Sequence, residues 1–202
     1  MKKEEKIGII ILAAGNSMRL GRPKQLLPYQ ENCLLKRMVM EAMAVSNTLT
    51  LVVTGYKNEV MEAEIADTGV KTVYNPEWQE GMASSIRLGV ETLKEWLPQL
   101  DSCILSVCDQ PHVNREVFKA LIKKHLNAGE ELIASAYADT LGTPALFRRN
   151  YFKDLMLLNG REGAKKIFLQ YPDVVFKLPF EKGAIDIDTE EDYINLMKST
   201  AI

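Results

Sequence analysis

Short apolar runs alternate with amphipathic segments along most of the chain. The runs are rich in β-branched residues and are bounded by turn residues, which is typical of strands. The sequence predicts strands over Ile7 to Ala13, Thr50 to Thr54, Lys71 to Tyr74, Ser102 to Val107, Leu132 to Tyr137, Pro144 to Phe147 and Val174 to Leu178.

Apolar residues recur with a helical period in most of the segments between these strands. Ile86, Val90 and Leu93, for example, would share one helix face. The pattern is less regular after residue 140, until residues 189–192 form a capping box that predicts the start of a last helix. Helices are predicted over Cys33 to Val45, Asn58 to Ala66, Ser84 to Leu97 and Asn114 to Leu126.

The alternation of strands and helices predicts an α/β fold. Right-handed crossovers would give a mostly parallel sheet with helices on both faces. Ligands of such sheets bind beyond the carboxyl ends of the strands. Because the 202 residues contain no linker, repeat or low-complexity segment, we expect a single domain over 1–202.

Composition narrows the function classes. With 47% hydrophobic and 26% charged residues, the chain lacks the run of about 18 apolar residues that a membrane helix needs. A net charge of −2 gives no general attraction to nucleic acid, so anions must be bound by local Lys and Arg clusters. Cys33, Cys103 and Cys108 lie in apolar segments without metal-type spacing, which favours a reducing, cytoplasmic location.

The loop after the first strand, ILAAGNSMRLGRPKQLLPY over residues 11–29, combines glycine with positive charge. Gly15 and Gly21 are too far apart for a dinucleotide fingerprint, and no G-K-[ST] follows for a P-loop. Gly15 nevertheless allows a turn that exposes backbone N–H groups, and Arg19 and Lys24 add charge nearby. We expect a triphosphate site here, with a solvated basic loop as the alternative.

Asp109 follows the predicted strand Ser102 to Val107, at the edge where ligands bind. An aspartate there can hold Mg²⁺, which takes hard oxygen ligands and often uses one or two carboxylates together with substrate phosphates. The alternatives are that Asp109 shapes a turn before Pro111 or caps the helix that begins near Asn114.

Asp186 and Asp188 are two residues apart and would share a face if this segment is extended. They could supply the second metal ligand. Asp188 could instead help to start the helix that Thr189 caps, whereas the charge of Asp186, between Ile185 and Ile187, needs a partner.

Small residues at Gly81 to Arg87 begin an amphipathic helix, where N–H groups and hydroxyls can meet a base, ribose or phosphate. An N-cap role for Ser84 or Ser85 is the alternative. His112 and His125 form no cluster with cysteine or acid, which argues against a zinc site.

LAAGNSMRLGRPKQLLPY resembles the signature L-A-A-G-x-S-x-R-x-G-x-x-K of the MobA-like nucleotidyltransferases. Its K-Q-L-L-P continuation is similar to the branch that contains molybdenum-cofactor cytidylyltransferases. Four later segments resemble further motifs of the family, in the same order: Gly81 to Arg87, Cys108 to Pro111, Gly142 to Phe147 and Asp186 to Tyr193.

The resemblance implies a Rossmann-like three-layer sandwich of the nucleotide-diphospho-sugar transferase (GT-A-like) type. It also implies a Mg²⁺-dependent transfer of a nucleoside monophosphate from an NTP to a phosphate on a second substrate, with release of pyrophosphate. Carried over by residue, Leu12, Ala13, Ala14, Gly15 and Ser85 would bind the nucleotide, Arg19 and Lys24 the triphosphate, and Asp109 with Asp188 and Asp186 the metal.

Family members that use GTP tend to read L-A-G-G where this chain has Leu12 to Gly15, so the resemblance favours CTP. It implies molybdopterin as acceptor and a transient contact with a molybdenum hydroxylase. A sugar-phosphate nucleotidyltransferase on the same fold is one alternative. A chaperone that carries the cofactor without catalysis is the other.

One segment departs from the family pattern. Where the family often shows G-D-x-G-A-R, residues 160–165 read G-R-E-G-A-K, so that Arg161 replaces an acid. If this segment touches the acceptor, the departure bears on the pterin assignment more than on the chemistry. In that case Arg161 would contact an anionic acceptor. The alternative is that Arg161 is solvated, as surface arginines commonly are.

Overall fold

The computed structural model describes residues 5–200 and shows a sheet with helices on both faces. The strands are β1 (Ile7–Leu12), β2 (Pro28–Tyr29), β3 (Asn32–Cys33), β4 (Thr48–Thr54), β5 (Lys71–Tyr74), β6 (Ser102–Val107), β7 (Leu132–Tyr137), β8 (Thr140–Arg148) and β9 (Phe176–Pro179). The helices are α1 (Leu34–Met43), α2 (Asn58–Ile65), α3 (Met82–Trp96), α4 (Arg115–Ala128), α5 (Phe152–Met156), α6 (Lys165–Gln170) and α7 (Glu190–Thr200).

Seven strands form the main sheet in the order β5-β4-β1-β6-β8-β7-β9, and β2 pairs with β3 in a separate hairpin. The strand β8 runs antiparallel to both of its neighbours, whereas the other pairs in the main sheet are parallel. The predicted α/β fold with a mostly parallel sheet is therefore confirmed. The carboxyl ends of β4, β1 and β6 lie side by side at one edge of the sheet, where ligands are expected.

The central strand β1 is buried on both faces. Ile10 faces one apolar cluster, to which α3, α5 and α6 contribute. Ile9 and Ile11 face the other, to which α1, α2 and α4 contribute. Because alternate residues of a strand point to opposite faces, this run of β-branched residues fixes the three layers and holds the end of β1 rigidly.

The predicted elements of the first 137 residues are present with small shifts at their ends, whereas the chain after Thr140 contains two short helices, α5 and α6, that the periodicity did not predict. The pattern also missed the β2-β3 hairpin. The predicted strand Pro144 to Phe147 is longer, because it begins at Thr140 and passes through an irregularity in its pairing with β7. An irregular position tolerates Pro144, which has no N–H to donate.

The last segment returns to the carboxyl edge of the sheet. The backbone N–H of Ile187 donates to the carbonyl of Asp109 at 3.0 Å. The capping box is confirmed, since Thr189 Oγ1 accepts from the N–H of Asp192 and the Asp192 carboxylate accepts from the N–H of Thr189. Between Glu5 and Thr200, no helix is both long and apolar enough to cross a bilayer.

Candidate active site

The loop after β1 is folded around the side chain of Gln25, which is buried. Its amide nitrogen donates to the carbonyl oxygens of Ala13 at 2.9 Å and Gly15 at 2.7 Å. Its amide oxygen accepts from the Ser17 hydroxyl, whose oxygen in turn accepts from the backbone N–H of Lys24. The loop is therefore an internally bonded unit that places Lys24 beside the end of β1.

Lys24 lies between two carboxylates from distant parts of the chain. Its Nζ is 2.5 Å from Asp109 Oδ2 and 2.9 Å from Asp188 Oδ1. Arg19 Nη2 lies 2.6 Å from the other oxygen of Asp188. We call Arg19, Lys24, Asp109 and Asp188 the charged cluster. It unites four of the residues that the sequence proposed for triphosphate and metal.

The charged cluster shifts the pKa values of its members. Burial by itself would lower the pKa of the Lys24 ammonium, but the paired carboxylates of Asp109 and Asp188 outweigh it and raise that pKa well above its usual value. Burial would likewise raise the pKa of Asp188, but Lys24 and Arg19 lower it. Lys24 is therefore a permanent cation and Asp188 a permanent anion at neutral pH.

Asp186 lies beside this cluster without joining its ion pairs. Desolvation of its carboxylate, together with the negative charges of Asp188 and Asp109, raises the pKa of Asp186. The positive charge of Lys24 opposes this effect without overcoming it. Asp188 lines the cleft described below, whereas Asp186 does not.

The alternative that Asp109 caps α4 is wrong, whereas Asp188 does help to start α7 through its backbone N–H, which donates to the Asp192 carboxylate at 3.2 Å. Asn114, rather than Asp109, caps α4, because its side chain accepts from the backbone N–H groups of Glu116 and Val117. The carboxylate that bonds the start of α7 belongs to Asp192, whereas that of Asp188 is engaged by Lys24 and Arg19. The carboxylates of Asp109 and Asp188 therefore bond neither helix N-terminus and are available to the site.

The prediction that Ser84 or Ser85 caps a helix is also wrong. The helix α3 begins at Met82, and Gly81 is its N-cap at φ +122°, a backbone conformation that favours glycine. Ser84 and Ser85 lie inside the first turns, where both hydroxyls accept from the Asn75 amide at 2.9 Å. Asn75 follows β5, so it ties the end of that strand to α3.

A cleft of about 480 Å³ opens at the carboxyl edge of the sheet. From the first strand and its loop, Leu12, Ala14, Gly15, Arg19 and Lys24 line it. From later in the chain, Ser85, Asp109 and Asp188 do so. Ala13 does not: its side chain is buried against the α1, α2 and α4 side of the sheet, and its N–H donates to Val53.

The cleft has aromatic and polar lining that sequence reasoning missed. Trp78 and Gln79 lie in it, and the Trp78 ring packs on Tyr56 with 5.6 Å between centroids. A Cβ at Gly55 would lie 2.7 Å from the Cβ atoms of both Ala14 and Trp78, so only glycine allows this approach. The sequence did contain a signal for Trp78 as a cleft residue, because it closely follows the predicted strand that ends at Tyr74, at the same edge of the sheet.

Arg161 also lines the cleft, on a segment that rests against the start of α3. The N–H of Ala83 donates to the carbonyl of Gly160 at 3.1 Å. A Cβ at Gly81 would lie 2.4 Å from that same carbonyl oxygen, so glycine is required there. The segment at which the sequence departs from the family pattern is thus part of the cleft wall.

The carboxylates of the cleft fit a magnesium ion. Asp109 Oδ1 is buried and has no hydrogen-bond partner within residues 5–200, so it is open to a cation. No three His, Cys, Asp or Glu side chains in the described part of the chain form a complete metal cage. Two carboxylates with the remaining positions left to water and substrate phosphate are what Mg²⁺ commonly uses, whereas a structural zinc site would need a full set.

Comparison with known proteins agrees with this geometry. The MobA-like NTP transferase domain matches residues 9–174. The chain is 23% identical over 189 residues to the molybdenum cofactor cytidylyltransferase of Escherichia coli K12, covering 93% of this chain and 94% of that protein. It is also 23% identical to a probable molybdenum cofactor guanylyltransferase of Clostridium perfringens strain 13, over 95% of this chain and 96% of the relative.

A solved structure of similar fold covers nearly the whole chain. The crystal structure of Rv0371c from Mycobacterium tuberculosis H37Rv, a complex with manganese, superposes with a TM-score of 0.80 at 27% identity, covering 96% of this chain and 99% of that one. Since the family match covers well over half of its length, the chain belongs to the MobA-like NTP transferase family and is a nucleotidyltransferase of that type.

Proposed function

We propose that the protein transfers CMP from CTP to the phosphate of molybdopterin and releases pyrophosphate, with Mg²⁺ as its cofactor. The observation that carries the proposal is the position of Lys24 on the loop after β1, 2.5 Å from Asp109 and 2.9 Å from Asp188. A cation and two carboxylates at one point match a triphosphate and the divalent ion that accompanies it.

The chemistry is an in-line substitution at the α-phosphorus of CTP. An oxygen of the acceptor phosphate forms a bond to that phosphorus while the bond to the bridging oxygen of the β-phosphate breaks, and pyrophosphate keeps the electron pair. The acceptor phosphate is already ionised, so no side chain has to remove a proton. The protein contributes positioning and charge stabilisation, which suffice for phosphoryl-type transfers.

Arg19 and Lys24 neutralise the charge that develops on the leaving pyrophosphate. To do so they exchange their present carboxylate partners for phosphate oxygens, which frees Asp188 and Asp109 to hold the cation. When bound, Mg²⁺ supplies Lewis-acid stabilisation of the phosphate oxygens. The charged cluster is therefore arranged to exchange its three internal ion pairs for contacts of Arg19 and Lys24 with the substrate.

The preference for CTP is supported by Ala14. Its methyl group lines the cleft close to Gly55 and Trp78, where it narrows the space for a base. Glycine at this position would leave room for the larger guanine ring. Ser85 and the backbone of Gly15 line the same space and would contact the nucleotide.

The test is Mg²⁺-dependent release of pyrophosphate with each of the four NTPs, with molybdopterin, a sugar phosphate or no acceptor. We expect release with CTP and molybdopterin together. Release that depends on a sugar phosphate would contradict the acceptor, and nucleotide binding without release would support a carrier without catalysis. In the same assay, Ala14→Gly should raise the rate with GTP relative to CTP, since it removes one methyl group from the cleft.

A further inference from the structure

Arg161 differs from the other two cations of the cleft. Arg19 and Lys24 are paired with carboxylates, whereas Arg161 has no ion pair or hydrogen bond with any side chain in residues 5–200. An arginine on an open surface is often solvated without a partner. Arg161 is itself exposed, but it lines the cleft proposed to take anionic substrates, so its unpaired guanidinium is a potential binding group.

The segment that carries Arg161 is held in place on both sides. Gly160 accepts a hydrogen bond from the N–H of Ala83, the second residue of α3. The Glu162 carboxylate accepts from the N–H of Asn159 at 2.9 Å and from Lys166 Nζ at 2.7 Å. Gly163 packs so closely that a Cβ would lie 2.9 Å from the Met82 sulfur. The backbone at Arg161 is therefore positioned for a ligand before the ligand arrives.

The substrates bring more negative charge to the cleft than the magnesium ion offsets, and Arg161 can reduce this excess. The charged cluster is neutral as a whole, because its two cations match its two carboxylates. A triphosphate brings about four negative charges and an acceptor phosphate about two more, of which a magnesium ion offsets two. About four negative charges then remain, and the triphosphate already has the two cations of the cluster beside it.

We propose that Arg161 is a specificity-determining residue that binds the phosphate of the acceptor. The inference rests on the proposed function. The planar guanidinium fork matches two phosphate oxygens and can orient a third toward the α-phosphorus.

The test compares the wild type with Arg161→Ala, Arg161→Lys and Arg161→Asp in steady-state kinetics with molybdopterin and CTP. We expect Arg161→Ala to raise the acceptor KM about tenfold or more and to leave the calorimetric Kd of CTP nearly unchanged. Arg161→Lys should recover part of the affinity, and Arg161→Asp should lose the most. An unchanged acceptor KM, or an equal rise in the Kd of CTP, would overturn the proposal.

Lys165→Ala is the matched control. Lys165 is an exposed cation four residues further on, and it lines a different groove, so its removal should leave both constants unchanged. It separates the loss of a specific contact from the loss of one positive charge on this surface. If Lys165→Ala raised the acceptor KM as much as Arg161→Ala, a specific phosphate contact would be wrong.

A binding measurement distinguishes failure of this inference from failure of the proposed function. The protein is saturated with Mg²⁺ and α,β-methylene-CTP, and inorganic phosphate is titrated by calorimetry. We expect phosphate to bind the wild type at least tenfold more tightly than Arg161→Ala. That result would stand even if molybdopterin proved not to be the acceptor. Equal phosphate affinity in the two proteins would overturn the role of Arg161 whatever the acceptor is.

Discussion

The charged cluster and the segment at Arg161 are two walls of one cleft with opposite electrostatic arrangements. In the cluster, Lys24 is 2.5 Å from Asp109, and the positive and negative charges match. At the other wall Arg161 is without a partner among the described residues, on a backbone held by bonds to Ala83 and Lys166. The first wall holds its charges in place in the empty protein, whereas the second is open to a ligand.

This difference between the two walls predicts that the charged cluster determines the turnover rate and that Arg161 determines the affinity for the acceptor. Groups that are paired with one another in the free protein and must re-pair with substrate affect the transition state, where charge moves to the pyrophosphate. A single pre-positioned cation that binds a charge already present in the ground state affects affinity. We therefore expect substitutions in the charged cluster to lower kcat, and substitutions at Arg161 to raise the KM of the acceptor.

The largest effect is expected for Asp109→Asn. The change keeps the size of the side chain but removes the charge that pairs with Lys24 and would hold the cation, so turnover should fall about a hundredfold or more. Thermal unfolding and pyrophosphate release are the measurements. Asp67→Asn is the matched control, because Asp67 forms a 2.7 Å ion pair with Lys36 on the far surface of α1 and should retain full activity. Near-normal release by Asp109→Asn would show that the metal assignment is wrong.

Gln25→Met should have the next largest effect, through stability. The buried amide bonds the carbonyls of Ala13 and Gly15, and a thioether of similar volume leaves buried groups unpaired at a cost of about 2 kcal/mol. For a domain of this size the melting temperature should fall by about 4–8 °C, with kcat reduced because the loop carries Lys24. Gln170→Met, at an exposed position at the end of α6, should change neither quantity. An unchanged melting temperature for Gln25→Met would contradict the internal bonding of the loop.

The sequence predicted the sheet well where hydrophobic runs are strongly periodic. Parallel strands buried on both faces, such as β1, read as continuous β-branched runs, and the helices between them have wide apolar faces. The short helix α5 has five residues and α6 has six, too few to display a period. The β2-β3 hairpin has two residues in each strand, so alternation could not show it.

The candidate site was predictable only where residue type carried the signal. Arg19, Lys24 and Asp109 stand out because charge follows an apolar strand at the edge where ligands bind. That Lys24 bridges Asp109 and Asp188 could not be predicted, because it depends on the last segment crossing back over β6. The same holds for Trp78 and for the free guanidinium of Arg161, since contacts made by packing have no local sequence pattern.

The affinity for a divalent metal ion should show how strongly the Lys24 ammonium competes for the carboxylates of Asp109 and Asp188. The ammonium of Lys24 lies between the two carboxylates that would hold the cation, so free metal must compete with it. We expect Lys24→Met to bind Mn²⁺ about tenfold more tightly than the wild type in the absence of nucleotide. CTP should strengthen Mn²⁺ binding in the wild type more than in the variant, because its phosphates draw Lys24 away. Electron paramagnetic resonance titration measures both quantities.

Lys36→Met is the control for that experiment. Lys36 has a similar exposure to Lys24, 20% against 17% for the side chains, and an ion pair of similar length with Asp67. It lies outside the cleft, so Mn²⁺ affinity should not change. Weaker Mn²⁺ binding by Lys24→Met in the absence of nucleotide would contradict a competition between lysine and metal.

The smallest effects are expected for Asp186 and Asp188, which are two residues apart. Their pKa values are shifted in opposite directions, so their substitution should change the stability of the fold with opposite sign. The pKa of Asp188 is lowered by Lys24 and Arg19 against the effect of burial, so its charge stabilises the folded state above its ordinary pKa, and this stability is lost as the pH falls through the lowered value. The pKa of Asp186 is raised by desolvation and by the charges of Asp188 and Asp109, so its ionisation weakens the fold as the pH rises through the raised value.

In metal-free protein at pH 7, Asp188→Asn should lower the melting temperature and Asp186→Asn should raise it, each by about 1–3 °C. The difference for Asp186 should vanish once the pH falls below the ordinary pKa of aspartate, about 3.9, whereas the difference for Asp188 should vanish only below its lowered pKa. Melting curves recorded from pH 3 to pH 8 test this, and a shift of the same sign in both variants would mean that Asp186 belongs to the charged cluster rather than beside it.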